Sequence, residues 1–528
     1  MIALSYHDFP YFLKPCFLYL GSFPEDLEIP RRILIQLWIA EGLVTEPIIT
    51  ASGQTMEEIA DQYLRELIDR CMVQVGSKDY TGVGVKTCRV QHLMRDFCVS
   101  KAREDNFSEV IRQEEIRNRM ERFRTFSNQQ LTLQTKTRRI AIHAGCDLDP
   151  SQMHPCLRSL LCFDVSSPTS LVKYVRSKNL RLLRVLEFGF NRSTVHNCKV
   201  PTEIGDLIHL MYFGLRYAGK VKLPSSIGNL RNLDTVNLRD NAEVVLKVEI
   251  FRLKRLKHLL LPFGTSFPNG YSWATYALSD PGQIQTFKYV SFGKFLLKNK
   301  IFSHEMANLR NLGVQFESNG DVRSFLSSPN FRLAMFQSLH MSILSSTGFS
   351  SLHPLSQCVI LSKLFLDGKI SRGESLGFLP RSLTKPILRD SGLRDDPMAV
   401  LERLPNLRFL GLHNAYTRTE LICSAEGFQR LETLQLFSLE EVTKWELMEF
   451  SMPNLKRLHI KHMLELTMIP EELRNITSLR ELKITDMRRS FEDRIRVKDG
   501  IEGVDFYKGS HVSSISFSWT LPSRYQYY

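Results

Sequence analysis

The sequence predicts a mixed α/β fold, in which a mainly helical domain is followed by a solenoid with a parallel sheet on its concave side. Two observations lead to this prediction. Short apolar units of the form L-x-x-L-x-L recur through most of the chain, and helix-type patterns replace them before Thr137. A chain of 528 residues also exceeds one ordinary hydrophobic core, so several domains or a repeat array are expected.

The repeats are most regular near the C-terminus. Units that are 24 residues apart read LTKPIL, LRFLGL, LETLQL, LKRLHI and LRELKI, beginning at Leu383, Leu407, Leu431, Leu455 and Leu479. The last two apolar positions of a unit are two residues apart and therefore share one side of a short strand. Because one unit cannot bury this side alone, neighbouring units must stack. The pattern predicts a horseshoe-shaped leucine-rich-repeat solenoid over residues 136–488.

Residues 1–105 predict a winged-helix domain. The run RRILIQLWIAEGL follows Pro30, has one apolar face and stops at Gly42, and MEEIADQYLRELIDR continues in the same style. Two strand-like runs, MVQV and KTCRV, then precede the helix pattern LMRDFCVSKA. Winged helices often bind DNA, but the helix that ends at Glu41 has few outward cations, so nucleic acid is not an expected partner. The other predicted segments are a linker over residues 106–135 and a C-terminal tail or cap over residues 489–528.

Composition excludes several other classes of protein. The net charge is +13, but the basic residues are dispersed, which is typical of a solvated surface. Ten cysteines without a CxxC pair predict neither a disulfide framework nor a metal site. No unbroken apolar run is long enough to span a bilayer, so no transmembrane segment and a cytoplasmic location are expected. Without a nucleophile elbow or paired catalytic motif, the chain is not expected to be an enzyme.

The residues between the inward-facing apolar positions project from the concave strands and form a candidate protein-binding surface. Aromatic and arginine side chains on a rigid sheet suit protein recognition, although any single one of them is equally compatible with a solvated surface. The predicted contact set is Glu187, Tyr212, His258, Phe365, Phe409, Arg457, His459, Glu481 and Lys483.

Longer motifs carry a resemblance to a known family. The segment LSYHDFPYFLKPCFLYLGSFPEDLEIPRRILIQLWIAEGLV resembles the winged-helix segment of plant NB-ARC leucine-rich-repeat disease-resistance proteins of the coiled-coil class. The resemblance continues through CRVQHLMRDFCVSKA and SMPNLKRLHI to DFYKGSHVSSISF in the tail. It implies an innate-immunity receptor, whose repeats recognise a pathogen effector or a guarded host protein. It also implies that the winged helix couples to an NB-ARC nucleotide-binding domain that uses ADP and ATP.

In that family a Met-His-Asp-like motif stands at a strand-to-helix junction, and its histidine contacts the β-phosphate of ADP. The matching positions here are Val90, Gln91 and His92, so glutamine replaces the histidine and histidine replaces the aspartate. The resemblance therefore implies a degenerate motif, because a neutral amide donates only an uncharged hydrogen bond.

The phosphate-binding loop G-x-x-x-x-G-K-[ST] of the family has no match in this sequence, and GVGVK at 82–86 does not fit it. No cofactor is therefore expected in this chain. Two alternatives to a recognition module stay open: the C-terminal half of an ATP/ADP-dependent switch, and a degenerate non-signalling copy. An adaptor of a ubiquitin ligase is disfavoured, because the N-terminal residues match a winged helix and not an F-box.

Overall fold

The computed structural model divides into two compact units, Met1–Val290 and Ser291–Tyr528, called unit 1 and unit 2 below. The residues that the structure describes are 2–45, 54–78, 84–112, 137–143, 149–192, 197–265, 283–292, 308–328, 331, 335–344, 348–371, 375–498 and 500–519.

Unit 1 begins with helices and a small antiparallel sheet, as the winged-helix prediction requires. In chain order the elements are α1 (Ile2–His7), α2 (Leu13–Leu20), β1 (Ile29–Pro30), α3 (Arg31–Glu41), α4 (Met56–Asp69), β2 (Gln74–Val75), β3 (Thr87–Arg89) and α5 (His92–Glu104). Strand β3 lies between β1 and β2. Local signals set the helix ends, since α3 follows Pro30 and ends at Gly42, whose φ is +76°. A capping box formed by Thr55 and Glu58 opens α4.

The rest of unit 1 is built on a parallel sheet. Its elements are β4 (Glu109–Ile111), β5 (Arg139–Ile142), β6 (Ser159–Val165), α6 (Pro168–Arg176), β7 (Val185–Phe190), β8 (Asn197–Lys199), β9 (Tyr212–Arg216), β10 (Lys220–Lys222), β11 (Thr235–Asn237), β12 (Glu243–Val245), β13 (His258–Thr265) and β14 (Thr286–Phe292). Strands β4, β5, β6, β7, β9, β11, β13 and β14 pair in that order, and β8, β10 and β12 form a smaller parallel sheet. The sequence analysis missed β4, which lies inside the predicted linker; residues 113–135 of that linker lie outside the described residues.

Unit 2 continues the same architecture. Its elements are β15 (Asn311–Phe316), α7 (Asn319–Leu326), β16 (Ser338–Ile343), β17 (Lys363–Asp367), β18 (Lys385–Arg389), α8 (Met398–Leu401), β19 (Phe409–His413), β20 (Glu420–Cys423), β21 (Thr433–Phe437), β22 (Lys444–Leu447), β23 (Arg457–Lys461), β24 (Glu481–Thr485), α9 (Arg489–Ile495), β25 (Val497–Lys498), β26 (Ile501–Glu502) and β27 (Ser514–Ser518). The parallel sheet contains β15 to β19, then β21, β23, β24 and β27. The tail thus adds strand β27 beside β24; its residues 520–528 lie outside the described residues.

The strand register of unit 2 matches the period of the sequence. Phe409, Thr433, Arg457 and Glu481 lie opposite one another on successive strands, so each 24-residue step advances the sheet by one strand. In β21 both leucines of TLQLF are fully buried, and Gln435 between them is half-buried. This alternation confirms the leucine-rich-repeat solenoid and the inward-facing register of its leucines.

Candidate functional site

The triplet Val90-Gln91-His92 lies at the junction between β3 and α5. Val90 packs against the winged-helix core, whereas Gln91 is exposed at the N-cap of α5 and makes no side-chain capping bond. His92 is also exposed, with Nδ1 3.6 Å from Glu25 Oε2 and Nε2 3.4 Å from Asp26 Oδ1. His92 of the triplet therefore stands beside two carboxylates.

Glu25 belongs to a small ion-pair network that anchors α5. Its Oε1 lies 3.0 Å from Nη1 of Arg95 and 3.3 Å from Nη2 of Arg112. The Arg95 side chain is buried and also donates from Nε to the Phe23 carbonyl at 2.8 Å, and its burial lowers the pKa of the guanidinium. A phosphate placed beside His92 would face the carboxylates of Glu25 and Asp26, whose negative charge repels it.

The winged-helix domain packs on the outward face of the unit 1 sheet. Here the outward face is the side of the sheet opposite the inward-facing leucines. A single hydrophobic cluster joins residues of α2 and α3 to outward positions of the strands; the strand members include Ala141, Leu161, Phe163, Val185, Tyr212 and Leu260. The rings of Phe23 and Phe163 lie 5.9 Å apart, and Tyr19 Oη is 3.3 Å from Ser159 Oγ. This face of the sheet is therefore an internal interface.

Buried polar contacts fix the same interface. His143 Nε2 donates to the Ser22 carbonyl at 2.9 Å, and burial lowers the pKa of His143 to about 4. Glu41 at the end of α3 is buried and pairs with Arg139 at 2.5 Å. Burial raises the pKa of Glu41, and the Arg139 guanidinium opposes that shift. Helix α3 is covered along most of its length, unlike a DNA-reading helix, which must be exposed to enter a groove.

The first three residues of the predicted contact set lie in this interface. Glu187, Tyr212 and His258 are buried, and the expectation that they project into solvent is wrong. The reason is that winged-helix residues cover them: His258 Nε2 lies 3.6 Å from Glu57 Oε1 in α4. The facing His258 and, more weakly, Lys257 hold the pKa of Glu57 at about 2 against the opposing effect of burial.

Glu187 and Tyr212 are held by partners on the neighbouring strands. Glu187 Oε1 lies 2.6 Å from Arg216 Nε, and Asn237 Nδ2 donates to the Tyr212 hydroxyl at 3.1 Å. Burial raises the pKa of Tyr212 well above its usual value. A Cβ at Gly214 would stand 1.5 Å from Glu187 Oε2, so only glycine leaves space for this carboxylate. These residues stabilise the interface and are not a partner-binding surface.

In unit 2 the outward positions of β17, β18, β19, β21, β23 and β24 form three rows across the sheet. The first row is Lys363, Lys385, Phe409, Thr433, Arg457 and Glu481. The second row is Phe365, Ile387, Gly411, Gln435, His459 and Lys483. The third row is Asp367, Arg389, His413, Phe437, Lys461 and Thr485.

The two predicted phenylalanines are less exposed than expected. Phe409 is only 3% exposed, with Lys385 Nζ 4.4 Å from the centre of its ring, and its assignment as an exposed contact residue is wrong. Phe365 is half-buried between His340, whose ring centre lies 4.1 Å away, and the Arg389 guanidinium at 4.9 Å. Neighbouring side chains cover both rings because parallel strands place outward residues close together.

On this face the ring of Phe437 is stacked on His413 and meets His459 edge to face. The ring of Phe437 lies 4.4 Å from His413 and 4.6 Å from His459. Burial lowers the pKa of both histidines to about 4, with a further contribution from Arg389 at His413 and from Lys483 at His459. His413 Nε2 donates to Gln435 Oε1 at 3.2 Å. Both imidazoles are therefore neutral at pH 7 and act as hydrogen-bonding groups.

The other predicted residues of unit 2 reach the surface. Arg457 is half-buried and donates from Nη2 to Thr433 Oγ1 at 2.9 Å, while Glu481 and Lys483 are exposed. Sequence reasoning missed the third row because it stopped at the last leucine of each unit. The residue after that leucine also faces outward, since side chains alternate along a strand. This alternation is the signal that would have found the row.

Among the described residues, no helix has the length and apolarity needed to cross a membrane. Within the same part of the chain, no three His, Cys, Asp or Glu side chains are grouped so that they could hold a metal ion.

Two family models match the chain. Residues 156–498 match a leucine-rich repeat region, and residues 23–98 match the winged-helix domain of disease resistance proteins. Together these ranges contain the Val90-Gln91-His92 triplet and all three rows of unit 2.

Relatives in Arabidopsis thaliana match almost the whole chain. Probable disease resistance RPP8-like protein 2 is 30% identical over 531 residues, which cover 98% of this chain and 55% of the relative. Putative disease resistance protein At1g59780 is 31% identical over 527 residues, with 98% and 54% covered. The chain spans about half the length of the curated relatives it matches. Among solved structures, the plant peptide hormone receptor RGFR1 in complex with RGF2 is 13% identical, with 74% of this chain and 69% of that chain covered and a TM-score of 0.41.

Proposed function

We propose that this chain, which belongs to the leucine-rich-repeat proteins and resembles plant disease resistance proteins along almost its whole length, acts as a non-catalytic defence receptor module. Its repeats recognise a pathogen effector or a guarded host protein in the cytoplasm. The observation that carries this proposal is the outward face of unit 2, where cations, neutral imidazoles and a phenylalanine are fixed on a rigid parallel sheet. Such pre-organised aromatic and basic groups suit protein recognition, because little side-chain entropy is lost on binding.

The winged-helix domain, in this proposal, couples the repeats to an NB-ARC nucleotide-binding domain that uses ADP and ATP. Its continuous hydrophobic cluster with the unit 1 sheet supports the coupling, since a displacement of the helices must also displace the first strands. The coupling would work through this packing and not through a phosphate contact by Gln91, because Glu25 and Asp26 stand beside the triplet.

The altered triplet also favours a second candidate, a degenerate copy that no longer responds to nucleotide. A third candidate is that the chain is one part of an ATP/ADP-dependent switch. Titration of ADP into the purified chain, followed by calorimetry, addresses both candidates. We expect no binding in the micromolar range, since neither a phosphate-cradling loop nor a cation of the triplet is available. Micromolar binding of ADP would contradict this reading of the triplet.

Recognition itself is tested in infected leaf tissue. The chain is fused to a proximity-labelling enzyme, and each labelled protein is then purified and titrated against the purified chain. We expect one pathogen or host protein to bind directly, and the variant H413A/F437A to weaken that binding by about tenfold or more. The control V359A alters an exposed side chain outside the three rows and should bind normally. Failure to find a partner whose direct binding responds to H413A/F437A would overturn the proposal.

A further inference from the structure

Four cations surround the centre of the outward face of unit 2. Lys385 and Arg389 lie at the two ends of β18, and Arg457 and Lys461 lie at the two ends of β23. Residues four apart on one strand are separated by about 13 Å, and strands three steps apart by about 14 Å. We call these four residues the basic frame.

The frame encloses no negative charge. The outward positions of β18, β19, β21 and β23 number twelve, all of them described by the structure, and none of them is aspartate or glutamate. Carboxylates lie beyond the edges of the frame: Asp367 is 4.0 Å from Arg389, Asp486 is 3.6 Å from Lys461, and Glu481 lies opposite Arg457 on β24. The enclosed area is therefore a positive patch with a neutral centre.

The centre of the frame offers hydrogen-bonding groups to a peptide backbone. Gly411 brings no side chain to the middle row, and a Cβ there would lie only 3.2 Å from His413 Nε2 and from Ile387 Cγ1. Gln435 and the neutral imidazoles of His413 and His459 offer hydrogen-bonding groups around this glycine. These neighbours fill the space above the buried Gly411, so an extended segment would lie across them and find polar partners in Gln435 and the two imidazoles.

The arrangement of the aromatic rings disfavours single-stranded nucleic acid. Base stacking needs a ring face that is open to the ligand. Phe437 lies between His413 and His459, and Phe409 is buried. Phe365 lies between His340 and Arg389. These rings support their neighbours and do not offer a stacking surface, so charge is the main recognition feature of the face.

We propose that the partner segment that docks on unit 2 is an extended acidic peptide, whose carboxylates are spaced to reach opposite sides of the basic frame. The spacing follows from geometry, because carboxylates four residues apart in an extended chain are separated by about 13 Å, the width of the frame. This inference rests on the proposed recognition function and specifies the chemistry of the partner.

The test uses the whole chain and a short fluorescein-labelled peptide with glutamate at every fourth position. Fluorescence anisotropy should show salt-dependent binding. Two matched peptides, one with glutamine in place of glutamate and one with the same glutamates placed side by side, should bind more weakly. Neutralising two corners of the frame in the variant R389Q/K461Q should weaken binding of the spaced peptide by about tenfold.

The matched control is R418Q/R430Q, which removes the same charge from two exposed arginines outside the three rows. This control should bind the spaced peptide like the unaltered chain, and thermal melts should show that both double variants stay folded. Equal binding to R389Q/K461Q and to the control, or no binding of the spaced peptide, would overturn the inference. Tighter frame-dependent binding of oligothymidylate would also overturn it, in favour of nucleic acid.

The outcome for the proposed function is read separately. If a protein partner binds H413A/F437A more weakly but R389Q/K461Q normally, that result would support the recognition function and contradict the proposed acidic segment. A partner that binds both double variants as tightly as the unaltered chain would contradict both proposals.

Discussion

The outward faces of the two sheets differ although both come from the same repeat. In unit 1 this face is buried under the winged-helix domain, with Tyr212 fully buried. In unit 2 the corresponding strands carry charged and polar groups, with Glu481 and Lys483 exposed. The comparison teaches that the repeat motif fixes only the inward leucines, whereas the residues between them decide what each part of the sheet contacts.

The difference is already visible in the strands themselves. Strand β6 begins SLLCF, and these five residues are all buried, as expected where a strand is covered on both faces. Strand β23 reads RLHIK and alternates between polar and apolar residues, as expected when one face is open to solvent. The two patterns separate an internal interface from a candidate binding surface.

The largest expected effect is a loss in the free energy of unfolding when a buried ion pair of unit 1 is broken. The matched comparison is an exposed arginine in an ion pair of unit 2. Replacing Arg139 with alanine leaves the buried carboxylate of Glu41 without its partner, and we expect a loss of about 3–5 kcal/mol in the free energy of unfolding. Replacing Arg408 should cost about 0–1 kcal/mol, because it is 53% exposed and Glu432 keeps Lys456. Urea-dependent hydrogen exchange, followed on peptides of each unit, measures both losses in the free energy of unfolding.

The experiment shows whether the carboxylate of Glu41 is buried in the interface or hydrated. Equal small effects of R139A and R408A would mean that Glu41 is hydrated, and that the winged-helix domain does not cover the strands of unit 1. The double variant E41Q/R139A is the control, since it removes the unpaired charge and should recover part of the lost stability.

A smaller effect is expected from apolar truncation on the two outward faces. Leu161 in β6 points outward and is buried by the winged-helix domain, so L161A should cost about 2–4 kcal/mol. Gln435 in β21 also points outward but is half-buried, and Q435A should change stability by less than about 0.5 kcal/mol. Thermal unfolding of the purified variants measures both. L434A, which truncates an inward leucine next to Gln435, is the positive control and should behave like L161A.

The smallest of these effects is a pH dependence of unit 1. His143 is neutral in the interface because burial lowers its pKa to about 4, whereas the unfolded chain has a histidine pKa near 6.5. Below pH about 6.5 the unfolded state takes up the proton first, so the stabilising contribution falls until the pH reaches about 4. The variant H143Q should therefore show a flatter stability profile between these two pH values in urea titrations. Parallel profiles for the two proteins would contradict a buried neutral His143.

The sequence correctly predicts structural features whose cause lies nearby in the chain. Pro30 and Gly42 mark the ends of α3, and the 24-residue period gives the strand register of unit 2, because both signals lie within a few residues of the feature they set. The prediction fails where the cause is distant in sequence. The residues near Tyr212 and His258 do not indicate which part of the chain will cover them, because the covering helices are formed by the first residues of the chain. The third row was missed for a different reason, since Arg389 and His413 lie just beyond the motif that was searched.

The most direct test of this comparison is hydroxyl-radical footprinting of the whole chain, read by mass spectrometry on single residues. Tyr212 and Phe437 are both aromatic and both point outward from their strands, which makes them a matched pair. We expect the half-buried Phe437 to be oxidised faster than the fully buried Tyr212 in the folded chain, with the difference lost in urea. Equal oxidation of the two rings in the folded chain would contradict the conclusion that the winged-helix domain covers the outward face of unit 1 while the outward face of unit 2 is partly exposed.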